Sequence, residues 1–237
     1  MSAPPPLNTL LRAACVSFGL LACAAPAVWA QTGPQACGNP FVNHFGPWDY
    51  RATTAEQRAI VERVHFTPGI EAMVRPGTTM MQDMAADVAY TLEVYPNHHR
   101  ALLTMWRLSD RHHADPAPGG KITVECWFDR ALRFRPDDTV ARSMYAQFLH
   151  ARKRPADAER QLDIALEHAG ERPMSHYNIG LLYFELGRHD KALAQAHRAM
   201  ALGLPRRELM ESLVRAGQWR EPEAGPGAAS AAATPGG

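Results

Sequence analysis

Eleven histidines, ten methionines and four cysteines are the side chains of this 237-residue chain best suited to bind a metal or carry redox chemistry. Two histidine pairs, His98-His99 and His112-His113, sit at opposite ends of one predicted helix over 97–111. Fourteen residues separate them, about 21 Å at ~1.5 Å per residue, so the pairs cannot share an ion. Adjacent helical residues also point in different directions, whereas metal-binding pairs sit at i and i+4. Met80, Met81 and Met84 add soft sulfur ligands of the kind copper accepts. His98, His99 and Met84 therefore define one reading, a copper- or haem-binding protein. The competing and preferred reading assigns no metal and no cofactor. In it Pro96-Asn97-His98-His99 starts a helix, His112-His113 sits near a helix end where a cation is favoured, and the methionines fill core.

Signatures of catalysis are missing. There is no Gly-rich phosphate loop, no GxSxG and no HExxH. Asp49, Glu62 and Glu71 are carboxylates with no partner in reach by sequence. The expectation is that this is not an enzyme.

The composition is that of a globular chain, 46% hydrophobic and 21% charged with a formal net charge of +1. Such a balance excludes a wholly disordered or collagen-like chain. It also lacks the basic surface that broad nucleic-acid binding requires. Residues 1–30 carry one base, Arg12, and no acid; the apolar run Ala13–Ala25 is followed by Ala27-Val28-Trp29-Ala30. This reads as a secretory leader cut after Ala30, which places the mature chain in a periplasm. Leu20-Leu21-Ala22-Cys23 resembles a lipoprotein box and offers a rival, a lipid anchor at Cys23. No other apolar stretch approaches the ~20 residues of a membrane helix. Residues 217–237 are dominated by Ala, Gly and Pro and read as a disordered tail. Leader removal takes Cys15 and Cys23 and leaves Cys37 and Cys126 as a single pair in an oxidising compartment. A Cys37–Cys126 disulfide is the simplest outcome.

A period of 34 residues runs through the C-terminal half. Gly180 falls under Ala146, Ala192 under Ala158 and Ala199 under Ala165. Small residues at these places let two antiparallel helices approach closely, and Gly187 supplies a tight turn between them. In the preceding copy Lys153-Arg154-Pro155 replaces that turn, with Pro155 placed to open a helix. Before it, Phe128, Ala131 and Pro136 repeat the second-helix pattern, and Asp115-Pro116-Ala117-Pro118-Gly119-Gly120 expands the turn by six residues. Residues 174–204, with Gly180, Tyr183, Gly187, Ala192 and Ala199, resemble a tetratricopeptide repeat. The resemblance implies an all-α fold of stacked helix pairs over 83–216. It comprises a half repeat at 83–95, three repeats near 97–136, 137–170 and 171–204, and a terminal helix at 206–216.

Residues 31–82 form a non-repeat arm. Thr54 with Gln57 resembles a capping box and predicts a short helix over 54–64. Helical repeats bind partners through the face lined by their first helices. Ser143, Gln147, His150, Tyr177, Asn178, Leu181, Phe184 and Glu185 fall on that face. Amides and aromatics there suit a protein or peptide partner in the cell envelope. A carboxylate clamp lacks its basic residues, since Asn178 alone fits. Cys126 lies two residues past Val124, the counterpart of Ala158 and Ala192, and so about 200° round the helix at ~100° per residue. The arm is therefore expected to cross the outer side of helix 121–135, leaving the partner face free.

Overall fold

The computed structural model describes residues 37–74 and 81–222, with side chains described from Met84 onward in the second stretch. The leader read over 1–30, Cys23, Met80 and the tail from 223 onward lie outside these residues, as does the side chain of Met81. Among the described residues there are ten helices and no strand, so the fold is all-α. No helix among them is long and apolar enough to cross a membrane.

The arm carries α1 (Ala55–His65) and the single turn α2 (Pro68–Glu71). α1 starts where the sequence places it. The Thr54 side chain accepts from Gln57 N–H and the Gln57 side chain accepts from Thr54 N–H, so each satisfies a donor the helix leaves free. Next come α3 (Met81–Val94), α4 (His99–His112), α5 (Val124–Phe134), α6 (Thr139–Ala151) and α7 (Pro155–Glu167). α8 (Pro173–Glu185), α9 (His189–Ala201) and α10 (Glu208–Arg215) complete the chain. Proline opens α7 and α8 at the first turn, where its missing N–H costs nothing.

Helices adjacent in the chain pack together, α6 against α7 and α8 against α9 most extensively. α4, α6, α8 and α10 also touch in succession, forming one layer. The larger apolar core runs from Phe66 and Ile70 in the arm to Leu209 and Leu213 in α10, and a smaller one joins Val61 of α1 to Val94 and Tyr95 at the end of α3. Gly180 shows why a small residue is needed at the α8 crossing: a Cβ there would stand 2.5 Å from Leu209 Cδ2 and 3.0 Å from Gln195 Cβ. Ala192 and Ala199 of α9 are buried, and the Ala192 carbonyl would stand 3.5 Å from the same Cβ.

The 34-residue period is visible in the hydrogen bonds. Gly187 ends α8 in the left-handed region at φ 71°, and Arg188 N–H donates to Tyr183 C=O at 2.8 Å. This closes the helix with a six-to-one bond, which needs the positive φ. Lys153 takes the same position after α6 at φ 61°, with Arg154 N–H donating to Leu149 C=O at 2.9 Å. His113 does so after α4 at φ 51°, displaced by the six-residue expansion. Ion pairs repeat as well: Arg154 meets Glu125 at 2.8 Å and Arg188 meets Glu159 at 2.6 Å. Each ties a helix start to the preceding second helix.

The arm is fastened along one face of α5. A disulfide joins Cys37 to Cys126. Arg130 Nη1 donates to the Cys37 carbonyl at 3.3 Å, Arg133 Nη2 donates to the Gly38 carbonyl at 2.6 Å, and Phe41 packs on Phe134 at 5.8 Å between ring centroids. Further along, Trp48 N–H donates to the Val94 carbonyl at 2.9 Å. Residues 217–220 turn back after α10, and Trp219 stands edge-on to His197 at 4.8 Å.

Candidate functional site

A groove of about 290 Å³ lies between α6 and α8. Ser143, Gln147, Asn178, Leu181 and Glu185 all line it. The pairing of α6 with α8 in one layer brings them together, because residues spaced by three, four and seven share one face of each helix. Gln147, Asn178 and Glu185 are exposed; Ser143 and Leu181 are half-buried. His150 adjoins them in a small hollow that it shares with Gln147 and Glu185. No arm residue lines the groove.

Tyr177 and Phe184 sit elsewhere. Tyr177 is buried, and its hydroxyl donates to Glu208 of α10 at 3.0 Å. Burial and then this bond to a carboxylate push its phenol pKa up. α10 covers the position that would otherwise extend the face. Phe184 is half-buried and packs against His189 at 5.2 Å. Four apolar residues join the groove that residue chemistry alone does not single out: Val140, Met144, Met174 and the buried Leu182. The two that stand exposed are Val140 and Met174. Val140 is 46% and Met174 40% exposed, and the two stand together on one groove. They occupy the same place in successive copies, 34 residues apart, and that recurrence is the signal in the sequence.

The groove lining holds one ionisable side chain, Glu185, and no basic one. What the lining offers is hydroxyl and amide hydrogen bonding beside thioether and aliphatic area. Its volume is at the floor of the range small-molecule sites occupy, so it accommodates a few side chains rather than a macrocycle.

The histidines of the first half are tied to the arm. Ala101 N–H donates to His98 Nδ1 at 3.1 Å, which makes that nitrogen the acceptor. The proton is therefore on Nε2, 3.0 Å from Glu62 Oε1. Both His98 nitrogens are thus engaged, and the ring is fully buried between Tyr50 at 4.1 Å and Phe66 at 4.9 Å. Burial holds the His98 pKa down, although the Glu62 bond opposes this. His99 Nε2 lies 2.9 Å from Asp138. Met84 is buried in the apolar core. Among the described residues no group of three or more His, Cys, Asp or Glu side chains is placed to hold a metal ion.

No protein-family model matches the chain, and no curated protein matches it.

Proposed function

We propose that this chain is a non-catalytic adaptor of tetratricopeptide-repeat type that holds an extended segment of another envelope protein in the α6–α8 groove. The observation that carries this reading is the groove itself. Polar side chains that can bond a peptide backbone alternate there with exposed Val140 and Met174, which would be covered by a partner. In this reading α4, α6, α8 and α10 form the concave layer of a short solenoid, and α10 caps it. The partner segment is apolar, with a basic residue set against Glu185. The leader over residues 1–30 takes the protein to a bacterial periplasm, with cleavage after Ala30 or anchoring at Cys23.

The test compares the unmodified protein with Asn178→Arg and Glu185→Lys variants, each isolated from its own cell envelope and weighed intact by native mass spectrometry. A polypeptide retained by the unmodified chain and lost from both variants supports the reading. A copper or haem adduct with no polypeptide overturns it. The same spectra give the N-terminus, and hence the cleavage site.

A further inference from the structure

A second cavity, about 590 Å³, opens on another part of the molecule, between the arm at 37–43, α3, the loop at 119–122 and α5. Two hydrogen-bond donors on its lining residues are left without an acceptor: Arg130 Nε and Trp127 Nε1 are buried and unpartnered. Arg130 is only 8% exposed and Trp127 only 3%. Among the described residues the guanidinium makes one hydrogen bond, the long one to the Cys37 carbonyl. Among the described residues no carboxylate lies within ion-pairing distance of it. A buried cation is normally paired, and a buried N–H is normally satisfied. Two such exceptions border this cavity; among the described residues Trp106, His112, Arg142 and His189 carry the other unpartnered buried nitrogens. The guanidinium also lies 5.4 Å from the Trp127 ring centroid, so the cation and the indole are neighbours.

We propose that this cavity is a binding site for a small organic monocarboxylate, gripped by Arg130 and Trp127. Guanidinium and indole N–H groups are donors only, so the complementary group is an acceptor, and the buried charge asks for an anion. The other charged lining residues, Lys121 and Glu93, are one cation and one acid. The lining therefore carries one net positive charge, which matches a monoanion rather than a phosphate dianion. Ala86, Ala89 and Ile122 offer apolar wall to the ligand body. The volume falls within the range of small-molecule sites. The Cys37–Cys126 disulfide holds the arm that forms one side.

The test is calorimetric titration of the full disulfide-bonded chain with acetate, benzoate and phenylacetate. Benzyl alcohol serves as the neutral counterpart and inorganic phosphate as the dianion. At least one carboxylate is expected to bind saturably, one per chain, and to raise the melting temperature. Benzyl alcohol should bind at least tenfold more weakly. Arg130→Met should abolish binding. Trp127→Phe keeps the ring, deletes the N–H and should weaken binding several-fold. If Arg130→Met fails to fold, Trp127→Phe and the alcohol comparison decide the matter. No saturable carboxylate binding would mean that water alone serves these donors, and would overturn the proposal. So would equal binding of benzyl alcohol, tighter binding of phosphate, or unchanged affinity in the variants.

Discussion

The Asn97 side-chain amide donates to Asp138 Oδ2 at 2.8 Å, joining the start of α4 to the start of α6 through two fully buried side chains. The same amide nitrogen donates to Asp49 of the arm at 2.7 Å, and the Asn97 amide oxygen accepts from Tyr50 N–H at 2.9 Å. Arg51 and Arg135 both close on Asp49 Oδ2, each at 2.7 Å. Asp138 meanwhile caps α6 by accepting from Val140 and Ala141 N–H. One amide therefore locks the arm to two helix starts, and the arm in turn leaves the α6–α8 groove uncovered.

Asn97→Ala removes that amide and leaves the buried Asp138 and the half-buried Asp49 each short of a donor. The expected loss is about 1–3 kcal/mol, the range for orphaning a buried polar group. Urea unfolding with an unchanged slope measures it. A loss within experimental error would show that Arg51, Arg135 and His99 suffice.

Stability should fall in two stages as pH is lowered. Burial opposes ionisation of Asp49, but the bonds from Arg51, Asn97 and Arg135 outweigh it and hold its carboxyl well below the usual range. Asp138 is likewise held down by His99 and by the α6 N–H groups against its burial. Stability from such carboxylates is present above their unfolded pKa of about 3.9 and is lost as pH falls further. His98 acts at higher pH. Its pKa is depressed by burial, so the unfolded state takes up a proton first and stability declines below the unfolded value of about 6.5. Glu62, Arg100 and His99 surround the ring and set the size of that step. Thermal melts from pH 8 to pH 3 should show both stages, and His98→Asn should flatten the first.

Lys153→Gly should stabilise the protein by about 1 kcal/mol. Lys153 holds a left-handed conformation that costs a side-chain-bearing residue roughly this much and glycine almost nothing. Gly187 already occupies the equivalent place one repeat later. Melting temperature reads the effect, and a destabilised variant would mean that the Lys153 side chain is needed for contacts beyond its backbone.

Removing the disulfide by Cys37→Ser with Cys126→Ser should cost about 3–5 kcal/mol, the chain-entropy value for a cross-link spanning 89 residues. Limited proteolysis should then cut first within 37–43, because those residues lose their covalent tie to α5. An intact arm in the double variant would assign its retention to Arg133 and Phe134 instead.

Local rules made much of this molecule legible. The Thr54–Gln57 pair marks α1, Pro155 marks the start of α7, and the single cysteine pair fixes the bridge between arm and α5. The 34-residue spacing locates the left-handed cap at Lys153 even where glycine is absent. The candidate site is legible only in part, because the period assigns residues to a face without saying what covers it. Tyr177 directly precedes Asn178 but points about 100° away from it, under α10, where Glu208 takes its hydroxyl. The arm's polar lock escapes sequence reading for the same reason. Asp49 and Asn97 are 48 residues apart, and no local spacing links them.

The most direct test of the adaptor account places a photo-crosslinking residue at Asn178 in the groove and, separately, at Arg160 on α7, outside the groove lining. Illumination in the native envelope, followed by mass identification of the adducts, shows which face meets a partner. The account predicts one polypeptide captured from position 178, none from position 160, and loss of the adduct when Glu185→Lys is added. Capture from position 160 alone, or from neither position, would contradict it.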